Sequence, residues 1–199
     1  MELSLHFNPV TQILARLLLR SNTWKLDVIL PPIRKYVLVG APHTSNLDFI
    51  YLLLLRYATG VNLHWIGKDS LFHGPLGWML TRLGGLPVNR SSRNNAVSQI
   101  VEEFNRQEEF VLVIAPEGTR RKADSWKTGF YYIAFGAGVP IVLAYIDYRR
   151  KILGTGPTIV PSGDIQADFE QIRRFYSGFI GKYPAQQGEI KLSVGVDKA

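Results

Sequence analysis

The feature that most constrains this chain is a recurrence of short, continuous apolar runs, each followed by a stretch of helical periodicity. Residues 36–41 (YVLVGA), 110–115 (FVLVIA) and 140–146 (PIVLAYI) carry almost no polar side chain. A strand with one face in water alternates apolar and polar residues, whereas a strand covered on both faces reads as an unbroken aliphatic run. Helical segments are predicted over 46–59, 71–83 (around Pro75 and Gly77), 93–106, 128–137 and 165–181. Further strands are predicted over 62–66 and 86–89, with 151–161 extended. In the last helix Ile165, Phe169, Ile172 and Phe175/Tyr176 share one face, and the Gly- and Gln-rich tail reads as an edge strand over 189–194. The alternation predicts a single α/β domain, a largely parallel twisted sheet flanked by helices with functional loops at strand C-termini.

A chain of 199 residues is long enough to bury one sizeable core, and 46% hydrophobic with 12% aromatic residues excludes disorder. The absence of cysteine removes disulfides, zinc–thiolate sites and a cysteine nucleophile together, and fits a reducing compartment. A mean hydropathy of +0.03 is high for a freely soluble protein. The net charge of +7 resides almost entirely in residues 1–100, which points to anionic lipid or phosphate-bearing ligands. Nucleic acid is not an expected partner, because the chain has no helix-turn-helix signature, no aromatic RNP-type strand and no long Lys/Arg block.

Residues 8–20 read as a short amphipathic helix. Asn8 is a suitable N-cap and Pro9 a suitable first residue; Val10, Ile13, Leu14, Leu17 and Leu18 form the apolar stripe, with Gln12, Arg16 and Arg20 opposite. At about 18 Å the helix is too short to cross a bilayer. Periodicity alone does not decide between a helix packed on the domain and one docked on a membrane surface. No secretory signal is read at the N-terminus and no spanning helix anywhere. Residues 1–30 are accordingly assigned to an N-terminal membrane-associating segment and 31–199 to the functional domain.

The chemistry concentrates in two loops. Residues 41–48 (APHTSNLD) follow the first long strand. With a helix starting at Ser45, Asp48 lies in its first turn, where its carboxylate accepts from one His43 nitrogen and leaves the other as a base of fixed tautomer. The same residues fit a capping box, Ser45-x-x-Asp48, in which His43 is a bystander. Residues 115–120 (APEGTR) follow the strand FVLVIA and present Glu117, Gly118, Thr119 and Arg120, with Arg121 and Lys122 adjoining. Arginine suits bidentate phosphate binding, although a solvated turn beside a basic patch is the plainer explanation of this segment alone. Arg90 ends a Gly-led strand and Lys68 follows another, each a weak signal by itself. His6, His64 and His73 form no ligand-spaced pair with His43, so no metal site is expected.

Taken in order, the His43-x-x-x-x-Asp48 block, the Gly84…Arg90 block, Glu117-Gly118-Thr119-Arg120 and the Val139-Pro140-Ile141 strand resemble the glycerolipid acyltransferases, the lysophosphatidate acyltransferase-like family. The resemblance covers about residues 36–163, and the first and third blocks match letter for letter at their defining positions. Leu86-Pro87-Val88-Asn89 before Arg90, Arg121 after the third block and Leu143-Ala144 in the last one mark a divergent branch, similar to small bacterial members. The resemblance implies that His43 deprotonates a lysophospholipid hydroxyl for attack on an acyl thioester, with 1-acyl-glycerol-3-phosphate as the default acceptor, and that Asp48 orients the imidazole. It further implies that Arg90 and Arg120 bind the acceptor phosphate, that Glu117, Gly118 and Thr119 shape that pocket, and that Lys68 is an additional phosphate contact. No cofactor is implied beyond acyl-CoA or acyl-carrier protein as co-substrate. The expected place is the cytoplasmic face of the plasma membrane, peripheral or monotopic. Backbone N–H groups at the start of the Ser45 helix are candidate oxyanion donors. A lyso-aminolipid is the alternative acceptor, and two rivals from other classes are a thioester or lipid hydrolase using the same pair on water and a non-catalytic lipid-binding protein in which the pair is only a helix cap.

Overall fold

The computed structural model describes residues 8–88 and 93–193. It is an α/β fold built on seven strands: β1 (Lys25–Asp27), β2 (Lys35–Ala41), β3 (Leu63–Lys68), β4 (Gly85–Val88), β5 (Phe110–Ile114), β6 (Ile141–Asp147) and β7 (Ile152–Ile159). Six helices accompany them: α1 (Pro9–Ser21), α2 (Leu47–Thr59), α3 (Gly74–Arg82), α4 (Arg93–Arg106), α5 (Gly129–Gly136) and α6 (Ile165–Tyr176). The sheet order is β1-β7-β6-β2-β5-β3-β4, parallel throughout except for the antiparallel pairs that β7 makes with β6.

The predicted unbroken apolar strands occupy the centre, and both their faces are covered. From β2, Val37, Val39 and Ala41 enter a core with Phe104 of α4, Phe130 and Tyr131 of α5, and Phe169 and Ile172 of α6. Tyr36 and Leu38 point the other way, onto Leu55 of α2. A third cluster joins Ala15 and Leu19 of α1 to Ala58 of α2, Trp24 and Leu153. Helix α1 thus forms an outer layer over α2.

Several expectations are corrected. The helix read over 71–83 starts at Gly74, after a 3-10 turn at Asp69–Leu71. The helix read over 165–181 stops at Tyr176, whose hydroxyl is anchored by donating to Val39 O at 2.6 Å in the core. The described part of the tail, through Ser193, forms no strand of the sheet and makes one isolated parallel bridge, Leu192 with Trp126. Strand β1 was not anticipated and lies inside the segment assigned to the N-terminus. Its three residues are too few to show a period.

Candidate functional site

Parallel strands deliver their C-terminal loops to one edge of the sheet, and that edge collects the candidate residues. His43 lies two residues beyond β2, Glu117 to Arg120 follow β5, and Lys68 ends β3. Strands β2, β5 and β3 are consecutive neighbours, so Lys68 leaves the sheet about 10 Å from the strand that carries His43. Arg90 lies outside the described residues. Arg120 and Thr119 are exposed, with Thr119 Oγ1 accepting from the Arg121 amide at 3.2 Å.

His43 and Asp48 meet as expected, Nδ1 to Oδ2 at 3.0 Å. The same oxygen accepts from the amides of Thr44 and Ser45, both at 2.9 Å. Ser45 Oγ accepts from Leu47 N at 3.2 Å. Helix start and His–Asp pair are therefore one structure, since the carboxylate that caps the turn also holds the imidazole. The second oxygen, Oδ1, accepts a 2.6 Å bond from the Tyr148 hydroxyl. Burial pushes the Asp48 carboxyl up, but the donors from His43, Tyr148 and Ser45 outweigh it and hold the group below its ordinary 3.8. Asp48 is thus an anion with both oxygens occupied. His43 Nδ1 is engaged and its side chain is 26% exposed. Among the described residues no bond to Nε2 is recorded, which leaves that nitrogen as the one suited to take a proton.

Several of the amides at and before the Ser45 helix start, where oxyanion donors are expected, are already engaged. The Thr44 and Ser45 amides are consumed by Asp48, and the His43 amide donates to Glu117 Oε1 at 3.0 Å.

Glu117 therefore faces inward. Its Oε2 is buried and has no hydrogen-bond partner among the described residues, beside a small cavity lined by Trp126, Tyr176 and Gln187. Burial raises its carboxyl above the ordinary 4.5, with the His43 amide only partly opposing. Because the folded value exceeds the unfolded one, ionisation costs stability as pH climbs from 4.5 through the folded value. Glu117→Gln, which keeps the oxygen that accepts from His43, is expected to gain Tm relative to wild type across that window, by about 2–4 °C at the plateau. A Tm difference that does not vary with pH in thermal melts would count against this assignment. Gly118 has φ +64, the left-handed region that strains any other side chain, while the flexible end of Lys127 that a Cβ would meet can move aside.

Sequence reasoning missed the residues that lock the two loops together. Gln186, with its amide turned to face two carbonyls, donates to Arg120 O at 2.6 Å and Thr44 O at 3.0 Å. Tyr183 N donates to Thr44 Oγ1 at 3.2 Å, and Gly181 packs so closely on Thr44 that a Cβ would lie 2.6 Å from Oγ1. Lys127 lies over Gly118 as an exposed cation beside the Glu117–Arg120 loop. None of these carries a local sequence signal.

Known proteins resemble this chain over the segment that carries the site. Residues 27–147 match the family model described as Acyltransferase. The 1-acyl-sn-glycerol-3-phosphate acyltransferase of Escherichia coli (strain K12) is 35% identical over 111 residues, covering 51% of this chain and 43% of the relative. The protein of the same name from Haemophilus influenzae is 30% identical over 107 residues, covering 50% and 43%. The chain thus spans less than half the length of these relatives. The crystal structure of the 1-acyl-sn-glycerophosphate (LPA) acyltransferase from Thermotoga maritima shares the fold, with a TM-score of 0.58 at 20% identity, covering 82% of this chain and 73% of that one. The matched span contains β2 with its His43–Asp48 pair, the Glu117–Arg120 loop and β6, so the chain belongs to the Acyltransferase family.

Proposed function

We propose that the chain transfers a fatty acyl group from an acyl thioester, on coenzyme A or acyl-carrier protein, to the hydroxyl of a lysophospholipid. The default acceptor is 1-acyl-sn-glycerol-3-phosphate, as the names of the curated relatives suggest. The observation that carries this proposal is the Asp48 carboxylate, which is held by four partners, His43 Nδ1 among them. Nε2 takes the proton of the acceptor hydroxyl as its oxygen attacks the thioester carbonyl. The imidazolium formed, stabilised by Asp48, returns the proton to the departing thiolate. Arg120, Lys68 and Arg90, at or following the C-terminal ends of β5, β3 and β4, are the proposed acceptor-phosphate groups. The test is an acyl-transfer assay in liposomes that crosses both donor types with a panel of lysolipids, including lyso-aminolipids. Acylation of lysophosphatidate supports the default and acylation of another headgroup moves the acceptor. Free fatty acid released at the same rate with and without acceptor would make the chain a hydrolase.

The membrane surface is proposed as the working site because of how α1 is seated. Among the described residues no helix is long and apolar enough to cross a membrane. Yet Val10, Ile13, Leu14, Leu17 and Leu18 are each between 53% and 57% exposed, while the helix packs inward through Ala15 and Leu19. Arg16, on the polar side, points to the domain and donates through Nε to Ala58 O at 3.0 Å. The usual sense of an amphipathic helix is inverted, and a contiguous exposed apolar face marks an interaction surface. Leu47 and Ile50 extend apolar exposure to the first turns of α2, next to Asp48. The double substitution Leu14→Glu/Leu18→Glu is expected to lower co-sedimentation with anionic liposomes about tenfold or more, with little change in Tm because both side chains are already exposed. Undiminished binding would remove α1 as the docking element.

A further inference from the structure

We infer that Tyr148 is a positioning residue for the catalytic pair, fixing the Asp48 carboxylate so that its other oxygen holds His43; this rests on the acyl-transfer reading above. Tyr148 is the first residue after β6, which lies beside β2 in the sheet. The register Ala41↔Tyr145 brings the end of β6 level with the His43 loop although the two are about a hundred positions apart in the chain. The hydroxyl donates to Asp48 Oδ1 at 2.6 Å. A carboxylate that turns about its Cβ–Cγ bond exchanges its oxygens, and Oδ2 must stay in place to serve His43, Thr44 and Ser45 together. A donor on Oδ1 opposes that rotation.

Tyr148 is itself held at three points. Its main-chain N–H donates to Ile180 O at 2.9 Å. Its ring stands edge-on to Trp24, with centroids 5.1 Å apart and planes at 88°, and edge-on to Tyr51 at 5.8 Å. Trp24 and Tyr51 in turn contact each other at 4.2 Å. Such a box leaves the phenol one orientation. Burial, and then the bond to Asp48, push the Tyr148 hydroxyl far above its ordinary value, so it is protonated and a donor at neutral pH. Trp24 also closes the end of α1, its amide donating to Leu19 O at 2.9 Å. The base of the exposed helix and the catalytic carboxylate therefore share one packing unit.

Tyr148→Phe removes the hydroxyl and keeps the ring that packs on Trp24 and Tyr51, so the fold is preserved. Two measurements decide the matter. Steady-state kinetics of the full chain in liposomes are expected to show kcat lowered about tenfold with KM for the lysolipid unchanged, the loss of one hydrogen bond to a charged group. Nitrogen-15 NMR of the His43 ring, assigned by difference against His43→Gln above neutral pH, is expected to show the Nδ1–H tautomer giving way to a mixture with Nε2–H. An unchanged kcat overturns the proposal, and so does a lower kcat with unaltered His43 ring signals, since the loss would then not pass through the imidazole. If the wild-type chain transfers no acyl group to any acceptor, the functional proposal fails. The NMR comparison then judges Tyr148 alone, and unaltered signals refute it.

Discussion

His43→Ala is expected to lower kcat/KM for acyl transfer by about 10²–10⁴-fold, the range that a positioned general base contributes. The fold is expected to survive this change. The His43 side chain is a quarter exposed and, among the described residues, its ring makes one hydrogen bond, to Asp48, while the loop itself is held by main-chain bonds from His43 N to Glu117 and from Thr44 and Ser45 N to Asp48. The measurement pairs the liposome transfer assay with a thermal melt. Retained transfer at wild-type rate would refute His43 as the base, and a collapse of Tm would show that the residue is structural.

Asp48→Ala is expected to do both kinds of damage. Its side chain is only 8% exposed, and truncation strands four donors at once: His43 Nδ1, the Thr44 and Ser45 amides and the Tyr148 hydroxyl. Breaking a buried charged network by removing one member costs on the order of 3 kcal/mol or more, which in a domain of this size is a fall in Tm of about 6–12 °C. Activity is expected to drop nearly as far as in His43→Ala. The double variant should be little worse than either single one, because the two residues act as a unit. The stability loss has a pH signature. A carboxyl held below 3.8 in the fold stabilises the protein above that value, and the contribution is lost as pH falls through the folded-state value. The Tm gap between wild type and Asp48→Ala should therefore be full at neutral pH and narrow in acid. A gap that persists unchanged into acid would show that charge on Asp48 is not what holds the turn.

The contrast between these variants bears on how much of the site was legible in the residues alone. His43 and Asp48 are five positions apart, so a strand end and one helical turn suffice to bring them together, and local spacing predicted the contact. It left two explanations open, a capping box and a catalytic pair. In the structure the cap and the His–Asp contact are one arrangement, because a single oxygen of Asp48 serves the Thr44 and Ser45 amides and the imidazole. The inward turn of Glu117 was not legible. In the sequence it stands in a loop beside two arginines and reads as part of a phosphate pocket, but packing of β5 against β2 sets it under the His43 amide, 74 positions away.

The same division runs through the fold. Unbroken apolar runs determined that the strands are covered on both faces, because only such strands dispense with alternation, and the parallel α/β class followed from them. Periodicity also determined that α1 has one apolar stripe. Which side of α1 faces the protein was a tertiary decision: Ala15 and Leu19 fit against α2, Arg16 found the Ala58 carbonyl, and the larger stripe was left outward. Strand order was tertiary as well. By inserting β5 and β6 on either side of β2, the chain brought Glu117 and Tyr148 to the same histidine loop. Sequence patterns report contacts within a few turns or one strand, where the geometry is set by the backbone period. Contacts between elements a hundred residues apart depend on which faces pack together, and that choice is made only by the assembled core.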